Sequence, residues 1–375
     1  MAGIYIHVPF CTQACYYCDF HFSTSLKLKQ RVISAMKKEI VQQKKYLDNL
    51  EVKTIYFGGG TPSLIESDAI DDIYSTVQRN FILSDVIELT IEANPEDITE
   101  SLVSSWEKIG INRVSLGIQA FKDQHLKYMN RVHNSNQAFH ALELLTKSKI
   151  KNLNIDLIYG FPNLSDFDWE ASLDVILKFE PQHISCYSLT VEKQTPLFQF
   201  INKGTYSKLN PEQANRQFLI ARKKLINAGY SHYEISNFSK DGCFSLHNTN
   251  YWNKTHYLGI GPSAHSFNGT TRQWNINNNF KYCNAVENNM QHYEVEKLNR
   301  KNIINEYILT MLRTSRGIKQ DWISSKMTES EYQKFNKQIE KFIDLGLIQK
   351  NDNSLSCTES GMLIIDSISS DLFLI

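Results

Sequence analysis

Six short runs rich in β-branched and aromatic residues recur through the first half of the chain: Ile4–Val8, Lys53–Phe57, Ile87–Glu92, Arg113–Gly117, Leu153–Ile158 and His183–Leu189. Between them the apolar positions change period. Leu28, Val32, Met36 and Ile40 step by four, and Ile70, Ile73, Tyr74 and Val77 fall at i, i+3, i+4 and i+7, which places each set on one face of a helix. Leu102, Val103, Trp106 and Ile109 form a third stripe, and Gly110 stands where a helix C-cap calls for a left-handed residue. Strands alternating with helices predict right-handed βαβ units around a parallel sheet. Six units rather than eight predict an α/β fold of the partial (β/α)6 TIM-type barrel kind.

The pattern changes after this. Asn210-Pro211 opens a further helix that runs to Gly229, with proline suited to the first turn. The stretch that follows is rich in Asn, His, Tyr and Trp, lacks long periodic runs, and reads as an elaborated insertion of loops and strands. Helical periodicity returns near Arg300, and the segment from Gly346 to Ser356 reads as two strands around a turn. The chain thus divides into a barrel (1–229), an insertion (230–299) and a C-terminal winged-helix-like α+β domain (300–375). It has no internal repeat or low-complexity tract.

With 42% apolar residues, 18 Tyr and 20 Phe, the chain can fill a large core. Basic and acidic residues both number 40, so no global field draws it to nucleic acid. Lys326, Lys334, Lys337 and Lys341 are interrupted by acidic residues and describe a solvated helix face. The N-terminal residues lack the basic head and apolar run of a secretory signal, and no uncharged stretch approaches membrane-spanning length; a cytoplasmic protein is expected. In that reducing setting clustered cysteines point to metal or redox chemistry rather than disulfides.

Cys11, Cys15 and Cys18 form such a cluster directly after the first strand, which Pro9 ends. Thiolates are soft ligands suited to iron–sulfur clusters, and three of them on a compact loop can hold three irons of a 4Fe-4S cube while leaving one iron open. The competing reading is a zinc site. Structural zinc normally takes four protein ligands, and no fourth Cys or His completes an obvious pair here, which leaves His21 as a candidate. Cys186, Cys243, Cys283 and Cys357 are scattered and read as small hydrophobes.

Further polar positions follow the other strands. Gly58-Gly59-Gly60-Thr61-Pro62 succeeds the second, where bare glycine backbone can approach a ligand. Glu92 ends the third, Gln119 follows the fourth, Asp156 lies within the fifth, and Arg131 sits in Met129-Asn130-Arg131-Val132-His133. Strand-end residues are where barrel proteins assemble sites. Singly, each has an ordinary reading: a turn or cap carboxylate, a solvated arginine.

In order behind the cysteine loop, these motifs resemble the radical S-adenosylmethionine (SAM) proteins, and within them the family of oxygen-independent coproporphyrinogen III oxidases and their relatives. The likeness runs from Tyr5 to about Thr190 and resumes in the insertion and the C-terminal domain. It implies that the open iron of the cluster binds the amino and carboxylate groups of SAM. By the same resemblance Tyr5, Gly60, Thr61, Glu92, Gln119, Arg131 and Asp156 contact SAM, with Arg131 facing its carboxylate and Thr190 a further contact. A low-potential electron donor, a flavodoxin or ferredoxin, is the partner this chemistry requires.

Within that family the chain is most similar to the haem-chaperone branch. The oxidase branch carries a fourth cysteine two positions after the third, where this chain has Phe20. It also has an N-terminal extension, whereas here the cysteine loop starts at position 11. His247-Asn248-Thr249-Asn250-Tyr251-Trp252 matches the branch's haem-associated motif, and a second histidine, His265, follows in a Gly-rich segment. A neutral imidazole can ligate haem iron and aromatic neighbours can cover a porphyrin face. The resemblance therefore implies a chaperone that binds haem at His247 and passes it to an acceptor protein. It also admits peripheral membrane association. The alternative reading is oxidative decarboxylation of coproporphyrinogen III.

Overall fold

A computed structural model describes residues 1–375. The six predicted strands are all present: β1 (Ala2–Val8), β2 (Val52–Gly59), β3 (Leu83–Ala93), β4 (Arg113–Gln119), β5 (Asn152–Tyr159) and β6 (His183–Ser188). They lie side by side in chain order, each parallel to the next. Helices connect them, as the change of period requires. Helix Glu100–Ile109 is capped by the Thr99 side chain and ends at Gly110, whose φ of 93° is the left-handed stop expected there. The core follows the same pattern, with Ile4, Ile6, Ile55, Phe57, Leu89, Ile91, Val114, Leu116, Ile155 and Leu157 fully buried.

Residues 230–299 extend this sheet at both edges. On one side, β7 (Ser231–Glu234) and β8 (Asn237–Ser239) join β6 in antiparallel fashion. On the other, β9 (His256–Ile260) runs parallel to β1, and β10 (His265–Phe267), β11 (Thr271–Asn275) and β12 (Tyr293–Lys297) continue antiparallel. The sheet has 12 strands, begins at β12, ends at β7 and does not close, so the barrel is partial.

A buried carboxylate fastens the β9–β12 side. Glu39, on helix Lys29–Gln42, is fully buried. It accepts hydrogen bonds from the Gly261 amide at 2.8 Å, Asn275 Nδ2 at 2.7 Å and His292 Nε2 at 3.0 Å, and also from the Tyr282 hydroxyl. A buried carboxylate is tolerated only with its lone pairs filled in this way.

The C-terminal part builds a second core around Ile308, Phe335, Ile339 and Phe342. Its strands β13 (Ile318–Lys319), β14 (Ile348–Asn351) and β15 (Ser354–Cys357) make a small antiparallel sheet in the order β13-β15-β14. The predicted strand pair is β14 and β15. The chain then continues into two short helices, Glu359–Met362 and Ile365–Asp371, which the apolar pattern did not announce. Backbone hydrogen bonds from Ile235 N to Arg313 O (2.8 Å) and Ser315 N to Tyr233 O (2.9 Å) stitch this part to β7. No helix is long and apolar enough to cross a membrane.

Candidate functional site

The C-terminal ends of β2 to β6 open into a cavity of about 990 Å³. The cysteine loop forms one wall. Ser23 closes its neck, donating its amide to Pro9 O (2.9 Å) and accepting from Cys11 N (3.2 Å). The glycine turn after β2 is hydrogen-bonded to the same segment, Gly60 N to Val8 O at 2.8 Å and Thr61 N to Phe10 O at 2.7 Å. A Cβ on Gly60 would lie 2.5 Å from the Phe10 carbonyl oxygen, so only glycine allows this approach. On its far side the loop is held by the turn before Arg131: Tyr16 N donates to Met129 O (3.2 Å), Asn130 Nδ2 to Ala14 O (2.7 Å) and Gln13 Nε2 to Asn130 O (2.9 Å).

All three thiols of the loop line the cavity. Burial pushes Cys11 up to about 11 and Cys18 up to about 12, so these thiols stay protonated until a metal displaces the proton. No three His, Cys, Asp or Glu side chains converge as a single ion would require. A 4Fe-4S cube offers each thiolate its own iron and needs no such convergence. His21 is committed elsewhere: its Nε2 pairs with Asn279 Oδ1 at 2.8 Å and its carbonyl with His7 Nε2 at 2.8 Å. The donor set fits a cluster better than zinc.

Gly60, Thr61, Glu92, Gln119, Arg131, Asp156 and Thr190 also line the cavity. Glu92 accepts from the Tyr56 hydroxyl (2.8 Å) and the Gly59 amide (3.1 Å). Burial raises its pKa to about 7, with the Asp156 charge adding to the rise and the two hydrogen bonds opposing it. Asp156 accepts from Ser115 Oγ (2.9 Å) and Asn154 Nδ2 (2.8 Å); burial raises its pKa and these bonds restrain the rise.

Arg131 is half-buried at the cavity wall. Burial alone would lower its pKa, but Tyr17, Cys15 and Glu96 outweigh that and raise it. Its Nη1 lies 3.4 Å from Cys15 Sγ, and its Nη2 donates to Asn94 Oδ1 (2.6 Å) and Gly117 O (3.1 Å). Two buried polar atoms on this wall have no partner in the protein, Arg131 Nε and Gln119 Oε1. Gln119 also holds a left-handed φ of 62°. A spare donor and a spare acceptor beside three thiols suit a ligand carrying both a carboxylate and donor groups, as SAM does.

Two predicted residues lie apart from this group. Tyr5 sits behind the wall, stacked on Tyr56 at 5.9 Å, with its hydroxyl 3.3 Å from His7 Nδ1. His247 lies deeper, toward the strand starts, behind a cavity that its neighbour Asn248 lines. It is buried against Gly3 and Thr54 at the starts of β1 and β2, and Thr54 precedes Gly59 by five residues, about 17 Å of strand. Both ring nitrogens are engaged, Nδ1 with Thr54 Oγ1 (2.8 Å) and Nε2 with the Tyr251 hydroxyl (3.0 Å). Burial lowers its pKa to about 3, so the ring is neutral. The amides of Leu246 and His247 both donate to the Glu88 carboxylate at 2.8 Å, which anchors helix Leu246–Trp252 under the barrel.

The residues that orient the predicted ones were not singled out from sequence. Tyr56 and Asn94 had a readable signal: Tyr56 precedes the glycine turn with the parity of Thr54, and Asn94 stands two positions after Glu92. Ser115, Asn154 and Asn130 had none, because their importance comes from pairing across strands and loops.

Comparison with known proteins gives a consistent picture. The family profile of the radical SAM superfamily matches residues 5–176, and that of the HemN C-terminal domain matches residues 298–364. The chain is 30% identical to the haem chaperone HemW of Bacillus subtilis over 97% of both chains. It is 32% identical to HemW of Buchnera aphidicola from Schizaphis graminum, over 98% of this chain and 96% of that one. Among solved structures, coproporphyrinogen III oxidase (HemN) from Escherichia coli, a radical SAM enzyme, superposes with a TM-score of 0.84 at 20% identity, covering 99% of this chain and 90% of the other. At that identity the likeness speaks for the fold.

Proposed function

The chain belongs to the haem chaperone HemW family, within the radical SAM superfamily, and from that premise we propose that it binds haem and delivers it to an acceptor protein while carrying a 4Fe-4S cluster and exchangeable SAM. The observation that carries this reading is likeness to HemW over nearly the whole chain, joined to a cysteine loop that faces a cavity.

Superfamily membership implies the cluster and SAM. Cys11, Cys15 and Cys18 would hold three irons. When bound and reduced, the cluster supplies the electron for radical chemistry at the sulfonium of SAM. The protein's own part is placement. Arg131 Nε is the free donor for a carboxylate, Gln119 Oε1 and the carboxylates of Glu92 and Asp156 are acceptors for amine and hydroxyl groups, and Gly60 and Thr61 offer backbone at close range. Tyr5 supports Tyr56, and through it Glu92, from behind.

For haem, His247 is already the neutral imidazole that iron accepts. Ligation there requires Tyr251 to release Nε2, an opening of helix Leu246–Trp252 rather than binding to a ready-made slot. The protein works in the cytoplasm, with a flavodoxin or ferredoxin as electron source if SAM is cleaved.

The test is haem titration of cluster-reconstituted protein alongside His247→Ala. We expect saturable haem binding, weakened about tenfold or more in the variant, and no protoporphyrinogen from coproporphyrinogen III under SAM-cleaving conditions. Absence of haem binding in the parent protein overturns the reading, and equal affinity in the variant removes His247 from it.

A further inference from the structure

The wall of the cavity carries two cations, Arg131 and Arg313, and neither lysine nor histidine. They serve different ends. Arg131 is spent on the cysteine loop, Asn94 and Gly117. Arg313 enters from the C-terminal domain, just beyond helix Arg300–Leu312, where the surrounding lining is Phe218, Ile235, Met362, Leu363, Ile364 and Ile365. Asn215, Ser236, Asp366 and Ser367 are interspersed among them, so this part of the cavity is largely apolar with a few polar positions and one guanidinium.

The setting of Arg313 is that of a receptor for a carboxylate. Its backbone is fixed, since its carbonyl accepts from Ile235 N at 2.8 Å. One arm of the guanidinium is steadied by Nη1 donating to Leu309 O at 2.7 Å. The other, Nη2, holds the carboxylate of Asp366. That partner is the chain's own, but the Asp366 side chain is 84% exposed while Arg313 is 17% exposed. An ion pair with one member in open solvent is worth little and is readily exchanged. A carboxylate arriving with an apolar body would take the place of Asp366 on Nη2 and also bury the body against the six apolar neighbours, which Asp366 cannot do.

We propose that Arg313 is the anchoring point for a propionate of a tetrapyrrole whose ring lies in the largely apolar part of this cavity, with Asp366 occupying the guanidinium when the ligand is absent. The ligand class rests on the haem reading above. The chemistry shared by haem and by a metal-free porphyrin is a flat apolar ring with carboxylate arms, and the carboxylate pairing at Arg313 requires no ligation of iron. His247 itself does not line the cavity, although its neighbour Asn248 does, so the Arg313 pairing is distinct from ligation at His247.

The experiment titrates the reconstituted full-length protein, Arg313→Gln, Arg313→Lys and Asp366→Asn with haem, protoporphyrin IX and the dimethyl esters of both, and with SAM as a control on the cluster end. In the parent protein the free acids should bind about tenfold or more tighter than the esters. Arg313→Gln should weaken the acids to the level of the esters while leaving the esters and SAM unchanged, and Arg313→Lys should restore part of the loss. Asp366→Asn should tighten the acids by removing the competitor. An unchanged acid-to-ester ratio in Arg313→Gln overturns the proposal. So does weakening of the acids in Asp366→Asn, the mark of a purely structural ion pair. Binding of none of the tetrapyrroles overturns it together with the haem reading. If protoporphyrin IX binds in an Arg313-dependent way and haem does not bind, the haem reading fails and this assignment stands. If haem binds with no preference over its ester, the reverse holds.

Discussion

Burial and hydrogen bonding pull Glu92 in opposite directions, and burial wins, raising its pKa from the ordinary 4.5 to about 7. The sign of the consequence is fixed. Below the lower value the carboxyl is protonated folded or unfolded; between the two only the folded state keeps the proton, so stability falls as pH rises through that window. SAM binding should run the other way, because hydroxyl and amine donors need the ionised acceptor. Affinity should rise roughly tenfold from about pH 6 to about pH 8. Glu92→Gln should bind more weakly and show a flat profile, which equilibrium binding across pH will reveal; a parent profile that is itself flat would separate Glu92 from the ligand. Residues of this kind are legible in sequence only as strand-end carboxylates. Their pKa is not, since it depends on Tyr56, Gly59 and Asp156 meeting around one point.

Elements were more legible than contacts. β1 to β6 could be read because parallel strands buried on both faces are continuous apolar runs, and their helices because the period changes between them. The insertion resisted, since its strands are three to five residues long and its order in the sheet is set by polar side chains rather than by period. Glu39 illustrates the reason. In sequence it is one more acidic residue at the end of an amphipathic helix. In the fold it is fully buried and ties Gly261, Asn275, Tyr282 and His292 to the barrel. Glu39→Ala leaves the Gly261 amide, the Tyr282 hydroxyl and His292 Nε2 without this acceptor, while Asn275 Nδ2 keeps the Gly261 carbonyl, and should cost about 3–5 kcal/mol in urea unfolding, with the β9–β12 side losing amide protection first. A loss below about 1 kcal/mol would mean that water replaces the carboxylate without penalty. The terminal helices Glu359–Met362 and Ile365–Asp371 were invisible for another reason: they are too short for a periodic stripe, yet Met362, Ile365 and Asp366 line the cavity.

At the scale of the whole molecule, the cavity is shared between two cores. The barrel contributes the cysteine loop and the polar strand ends; the C-terminal domain contributes an apolar cover and Arg313. Phe20 stands at the cavity with 65% of its surface exposed, in the position where the oxidase branch resembled in sequence has a fourth cysteine. The His247 helix reaches the same cavity through Asn248, while His247 itself lies toward the starts of β1 and β2, so under the proposed function any communication between SAM and haem at His247 would pass through the barrel interior. Tyr56 is the residue placed to carry it, stacked on His247 at 5.0 Å and hydrogen-bonded to Glu92.

Everything at the cofactor end depends on three thiolates leaving one iron vacant. The most direct measurement is electron paramagnetic resonance of anaerobically reconstituted, dithionite-reduced protein before and after SAM is added, with iron and zinc assayed on the same sample. The account predicts about four irons per chain, a reduced-cluster signal that changes on adding SAM, and loss of both iron and signal in Cys15→Ala. Stoichiometric zinc, or a reduced signal indifferent to SAM, would contradict it.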